Sequence, residues 1–131
     1  MEFLKNNTLR IEKYIKVFEL EKNIENCIIL EDDVLIPDNF KNKIEETFRR
    51  LKSIDWEMCY LGRQNRTDSE EEIIDDYFLK SEYSYWTCGY ILNLKGIKKI
   101  MASNLEKNII LKRLAPFGTN GRIETSKNIY L

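Results

Sequence analysis

The stretch Cys27-Ile28-Ile29-Leu30-Glu31-Asp32-Asp33-Val34 decides how the rest of the chain is read. Four apolar residues end abruptly in three carboxylates, and apolar character resumes with Val34, Leu35 and Ile36. A run this short, carrying two isoleucines, predicts a buried strand rather than a helix. Three adjacent acids repel one another unless positive charge lies nearby. They make chemical sense where the strand's carboxyl end opens into a cleft holding a divalent cation. Mg²⁺ and Mn²⁺ prefer carboxylate oxygens and often complete their shell with substrate phosphates. The alternative is an acidic, solvated turn built on Pro37-Asp38-Asn39, and the triplet alone does not choose between them.

Working outward, the preceding stretch from about Thr8 to Ile24 places Ile11, Tyr14, Ile15 and Phe18 at helical spacing among Lys13, Lys16, Glu19 and Lys22. That pattern predicts a surface helix packed on a sheet. After the acidic tip, Asp38 is a candidate N-cap for a helix to about Lys52, with Phe40, Ile44, Phe48 and Leu51 on one face. A second strand is expected from Asp55 to Leu61, stopped by Gly62. Strand, helix and strand at this spacing predict a parallel βαβ unit, right-handed by default. Beyond it, Arg63 and Arg66 are either phosphate ligands, through their planar guanidinium forks, or solvated loop charges. The segment from Thr67 to Asp76 carries Asp68, Glu70, Glu71, Glu72, Asp75 and Asp76 with no base among them, and reads as a solvated acidic loop. Tyr77-Phe78-Leu79 is a candidate short strand.

A second distinctive stretch is Tyr83-Ser84-Tyr85-Trp86-Thr87-Cys88-Gly89-Tyr90-Ile91-Leu92-Asn93. Aromatic side chains alternate with small ones, and Gly89 permits close approach of a backbone or a ligand. Aromatic faces with hydroxyl tips suit sugars and nucleobases, while the plainer reading is a core strand with large anchors. Asn93 then caps a helix from Leu94 to about Ser103, whose apolar face is Leu94, Ile97, Ile100 and Met101. A shorter apolar patch runs from Leu105 to Leu114 before Pro116, and the polar tail from Gly118 to Leu131 resists assignment.

Composition narrows the chemistry. With 131 residues the chain is long enough for one domain with a real core, expected over 1–131 with 1–7 and 118–131 as loose ends. Two Trp, seven Tyr and six Phe exclude a disordered tail. A net charge of −1 gives no general attraction to nucleic acid or an anionic membrane. No apolar stretch approaches the roughly 20 residues that span a bilayer. The opening Met1-Glu2-Phe3-Leu4-Lys5-Asn6-Asn7 has no signal-peptide core, so an intracellular setting is expected. Cys27, Cys59 and Cys88, each in apolar surroundings, fit a reducing compartment better than a disulfide framework or zinc site. Histidine is absent, which removes Ser-His and Cys-His nucleophilic machinery and His-ligated metals.

Together these pieces resemble the family 25 glycosyltransferases, which include collagen hydroxylysine galactosyltransferases and bacterial lipopolysaccharide sugar transferases. The resemblance runs from about Ile11 to Met101. It rests on Leu30-Glu31-Asp32-Asp33-Val34, then Asp55-Trp56-Glu57 with Tyr60-Leu61-Gly62-Arg63. It is strongest at Tyr83 to Leu92, followed by Leu94-Lys95-Gly96, where it looks particularly like the collagen branch. Three such motifs in one order with similar gaps are hard to obtain by accident.

The resemblance implies a GT-A-like, Rossmann-like α/β sheet flanked by helices, and an inverting, Mn²⁺-dependent (or Mg²⁺-dependent) transfer of sugar from a nucleotide donor, UDP-linked, to an acceptor hydroxyl. It implies a metal held by Asp33 with Glu31 and Asp32, a carboxylate base, Arg63 at the phosphates, and Tyr85, Trp86 and Thr87 around the sugar or acceptor. The implied partners are the nucleotide sugar, a glycan, protein or collagen-like acceptor, and a second copy or a longer glycosyltransferase. The departures from the family pattern are specific. Only 26 residues precede Cys27, where members carry a nucleotide-binding strand and helix, and their Ser-His pair has no counterpart. Their Pro-Val-Asp-Glu segment aligns with Ile110, Leu111, Lys112 and Arg113, which puts bases where acids are expected. A shortened relative is therefore anticipated, either catalytic or acting as a glycan-binding or partner-binding module. An unrelated phosphoester hydrolase using the acid cluster would leave the aromatic stretch unexplained.

Overall fold

The computed structural model describes residues 24–30, 34–65, 70–81, 84–102 and 111–117, with the backbone alone at 64–65 and 84–88. In chain order the elements are β1 (Asn26–Leu30), α1 (Phe40–Leu51), β2 (Met58–Asn65), β3 (Glu72–Ile73), β4 (Phe78–Lys80), β5 (Ser84–Asn93), α2 (Leu94–Ala102) and β6 (Arg113–Pro116). The six strands form one mixed sheet in the order β1-β5-β2-β6-β4-β3. This is a Rossmann-like α/β arrangement, consistent with the GT-A-like class. The helix expected between Thr8 and Ile24 lies almost wholly outside the described residues, as does the tail from Gly118.

The expected βαβ unit is present with one difference. β1 and β2 run parallel to each other but are not neighbours, because β5 lies between them and pairs antiparallel with both. Ten residues of mostly apolar and aromatic character give β5 two full ladders, which a shorter strand could not satisfy. The second strand also outruns its expected end: Gly62 does not stop β2, which continues to Asn65. Gly62 stands opposite Gly89, and register shifts on both sides of Gly62 absorb the irregularity. β1 is only half-buried, with Ile28 39% exposed, rather than the fully buried strand expected.

On one face α1 covers the sheet, burying Ile44, Thr47 and Leu51 against Trp56, Cys59, Leu61, Phe78, Ile91 and Leu114. Burying a side chain such as Leu61 or Phe78 stabilises the fold by about 1.5–3 kcal/mol. Asn39, not Asp38, occupies the N-cap position of α1, and its side chain makes no capping bond. The hydroxyl of fully buried Thr47 donates to the Lys43 carbonyl at 2.7 Å and lies 2.8 Å from the Tyr77 hydroxyl, so its polarity is satisfied.

The acidic segment before β4 differs from a solvated loop. Glu72 reaches Lys80, Asp76 reaches Arg50 at 2.9 Å, and the Asp75 carboxylate accepts from the backbone N–H of Tyr77 and Phe78. Glu72 and Asp76 remain mostly exposed beside their partners, so the reading of a solvated loop holds for these two and fails for Glu71, whose side chain is buried. Arg50 also stacks over the Tyr77 ring, 4.7 Å from its centroid, and fastens this hairpin to α1.

Candidate functional site

The acidic tip itself, Glu31, Asp32 and Asp33, lies outside the described residues. What the backbone does fix is where that tip departs. Leu30, the last residue of β1, pairs with Gly89 of β5, and Gly89 pairs in turn with Gly62 of β2. One step beyond, Arg63 pairs with Thr87 and Gln64 with Trp86. The chain therefore leaves Leu30 beside Gly89, two residues along β5 from Thr87. Side-chain positions of Tyr85, Trp86 and Thr87 are outside the described set, but their backbone is in β5.

Arg63 is placed differently from either reading of its sequence. It belongs to β2 rather than to a loop beyond it, and its side chain is 1% exposed. Its two terminal nitrogens donate to both oxygens of the Glu71 carboxylate, at 2.8 and 2.5 Å. The guanidinium lies 5.6 Å from the Tyr60 ring, three residues back along the strand. Buried this way, it faces neither solvent nor an open phosphate site. The Glu71 side chain is itself 5% exposed, and the Ser81 hydroxyl donates to it at 3.4 Å. Sequence reasoning missed Glu71 because nothing local distinguishes it from Glu70 and Glu72.

The Asp55-Trp56-Glu57 motif turns out to be a charged anchor at the opposite end of β2. Lys95 and Lys112 flank the Asp55 carboxylate and hold it down at about 2, Lys112 contributing most. Burial pushes the Glu57 carboxyl up, but the Lys99 ammonium at 2.8 Å and the Lys112 backbone N–H outweigh it and leave it below the ordinary range. The Asn93 side chain caps α2 as expected, accepting from the Gly96 N–H at 2.9 Å, and its amide donates to the Trp56 carbonyl. Gly96 lets α2 lie directly on this strand end, since a Cβ there would sit 2.3 Å from the Glu57 carbonyl oxygen.

Lys112 and Arg113 lie toward the amino-terminal end of β2, away from the level of Leu30, the last described residue before the acidic triplet. β6 runs parallel to β2 with Arg113 beside Met58, four residues before Gly62. At about 3.3 Å per residue that is roughly 13 Å from the level at which the tip departs. Among the described residues no three His, Cys, Asp or Glu side chains gather into a metal site. The donor set that fits a hard cation is the consecutive Glu31-Asp32-Asp33, by the oxygen chemistry of its side chains. Among the described residues no helix is long and apolar enough to cross a membrane.

A mixed six-stranded sheet with α1 packed on one face defines a Rossmann-like α/β domain. The chain belongs to glycosyltransferase family 25: the family model described as glycosyltransferase family 25 (LPS biosynthesis protein) matches residues 14–113. Among curated relatives, procollagen galactosyltransferase 2 of Homo sapiens is 30% identical over 90 residues, covering 65% of this chain and 14% of that protein. Procollagen galactosyltransferase 1-B of Xenopus laevis is 35% identical over 86 residues, covering 62% and 14%. A Bos taurus protein named probable inactive glycosyltransferase 25 family member 3 is 31% identical over 86 residues, covering 63% and 14%. The chain thus spans about one-seventh of the length of these relatives. No solved structure matches it.

Proposed function

We propose that this domain takes part in transferring a sugar from a nucleotide-sugar donor, UDP-linked, to an acceptor hydroxyl. The observation that supports the reading most is the strand register, in which β1 ends at Leu30 opposite Gly89, two residues along β5 from Thr87, with Glu31, Asp32 and Asp33 next in sequence. Glu31, Asp32 and Asp33 are the residues that would hold a divalent cation, Mn²⁺ or Mg²⁺. Such a cation, when bound, supplies positive charge to the diphosphate leaving group. A carboxylate base accepts the proton of the attacking hydroxyl. Tyr85, Trp86 and Thr87 offer aromatic and hydroxyl groups to the sugar or the acceptor. Arg63 has no phosphate-binding part in this reading, because Glu71 occupies its terminal nitrogens.

The human and frog relatives named as procollagen galactosyltransferases point to galactose as donor sugar and a collagen-like acceptor. A second reading, a non-catalytic module that binds a glycan or a longer transferase, is favoured by the bovine relative named as probable inactive. One titration separates the two. Thermal unfolding is followed with Mn²⁺ alone, UDP-sugars alone and both together, for the wild type and for Asp33→Ala. Catalytic-site binding gives stabilisation that grows with ligand above its dissociation constant, about 2.7 kcal/mol at a hundredfold excess, and is lost in Asp33→Ala. An unchanged melting curve with every nucleotide sugar at millimolar Mn²⁺ favours the non-catalytic module.

A further inference from the structure

At the amino-terminal end of β2 and β6, the end opposite the acidic tip, lies a cleft of about 480 Å³. Its walls are Ile54, Ile74, Leu111 and Leu114, and its charged lining is Lys80, Lys112, Arg113 and Asp55. Three bases against one acid give this cleft a net charge of +2, in a chain whose net charge is −1. The three cations are not equivalent. Lys112 is held on Asp55, and Lys80 lies 3.4 Å from Glu72. Arg113 is half-buried and meets no carboxylate among the described residues. A half-buried guanidinium beside apolar walls retains its fork of N–H donors for a carboxylate, phosphate or sulfonate.

The cavity on the other side of Asp55, about 460 Å³, makes a useful contrast. Its charged lining is Glu25 and Asp55 against Lys52 and Lys95, so it has no net charge with which to select a ligand. Of these two clefts, the one at Arg113 combines excess positive charge with a wall of four branched aliphatic side chains. Its volume falls within the roughly 300–1,000 Å³ typical of small-ligand sites.

We propose that this cleft binds an organic anion with an apolar body. The anionic head sits on Arg113, with Lys80 beside it, and the body lies on Ile54, Ile74, Leu111 and Leu114. The site is roughly 13 Å along the strand from the level of Leu30. The inference does not depend on whether the domain transfers sugar.

The test uses the full chain and two fluorescent probes that share one body. 8-Anilinonaphthalene-1-sulfonate carries the anion, and N-phenyl-1-naphthylamine does not. The sulfonate should saturate at one site about tenfold more tightly than the uncharged probe, as expected for one charge-assisted contact. Arg113→Gln should remove that advantage while leaving the uncharged probe unaffected, and Arg113→Lys should keep part of it. Octanoate should displace the sulfonate, whereas octanol and inorganic phosphate should not. Lys98→Gln, an exposed charge deletion outside the cleft, should change nothing. Should Arg113→Gln unfold the chain by far-ultraviolet circular dichroism, Lys80→Gln carries the test, with a severalfold weakening expected. Equal binding of both probes, an unchanged sulfonate affinity in the Arg113 or Lys80 variant, displacement by phosphate alone, or no saturable binding would each overturn the proposal.

Discussion

Arg63→Met is the most informative single change for the fold. It leaves the Glu71 carboxylate, 5% exposed, without the guanidinium that accounts for its two short hydrogen bonds. Removing one partner of a buried ion pair typically costs about 3–5 kcal/mol, because the remaining charge stays in a poorly solvating interior. An unfolding entropy of about 2.1 cal/mol/K per residue gives ~0.28 kcal/mol/K for a chain of 131 residues. The expected drop in Tm is therefore about 11–18 °C. Replacing both partners, as Arg63→Met with Glu71→Leu, removes both desolvation costs and restores Tm to within a few degrees of wild type or above it. The Nε of Arg63 is buried with no hydrogen-bond partner, which tilts the balance further toward the apolar pair. Calorimetry or circular-dichroism melts of the four proteins complete the cycle. A loss under about 3 °C for Arg63→Met alone would refute the argument, since it would mean that the Glu71 charge is not confined as described.

Gly96→Ala should destabilise despite the helix propensity of alanine. The propensity gain is about 1 kcal/mol, whereas a Cβ 2.3 Å from a backbone carbonyl forces α2 to shift, at about 1–3 kcal/mol. A higher Tm for this variant would show that α2 is not seated on Glu57. Asp55 contributes to the acid limb of stability, alongside Glu46 and Glu57, whose carboxyls are also held down. Its carboxyl is held at about 2, below the usual 3.8, so its contribution is complete above about pH 4 and fades as pH falls toward 2. Asp55→Asn should flatten the decline of Tm between those limits, and an unaltered acid limb would count against the Lys95 and Lys112 contacts.

Local elements were readable where periodicity and capping agreed. Ser84–Asn93 of the aromatic run emerged as β5, Asn93 as the cap of α2, and the Phe40, Ile44, Phe48 and Leu51 stripe as α1. Pairing was not readable. No local signal says that β5 enters between β1 and β2, or that Arg63 closes on Glu71 eight residues later, because both depend on partners brought together by the whole sheet. Gly62 illustrates the limit well. Glycine after an apolar run reads as a stop, yet here it continues the strand because another glycine stands opposite. The acid triplet and the aromatic run were recognisable as chemistry from residue type alone. That β1, which ends just before the triplet, lies beside β5 required the register. Lys112 and Arg113 were legible as a change of charge, but not as belonging to the far end of the sheet.

The insertion of β5 between its neighbours also bears on how the chain is assembled. β1 and β2 are made first, and each waits for a strand that is completed only at Asn93. Until then both expose hydrogen-bonding edges to other polypeptides, and closure requires contacts distant in sequence, which are slow to form. Nascent chains halted shortly after Asn65 should therefore engage chaperones more persistently than chains halted beyond α2.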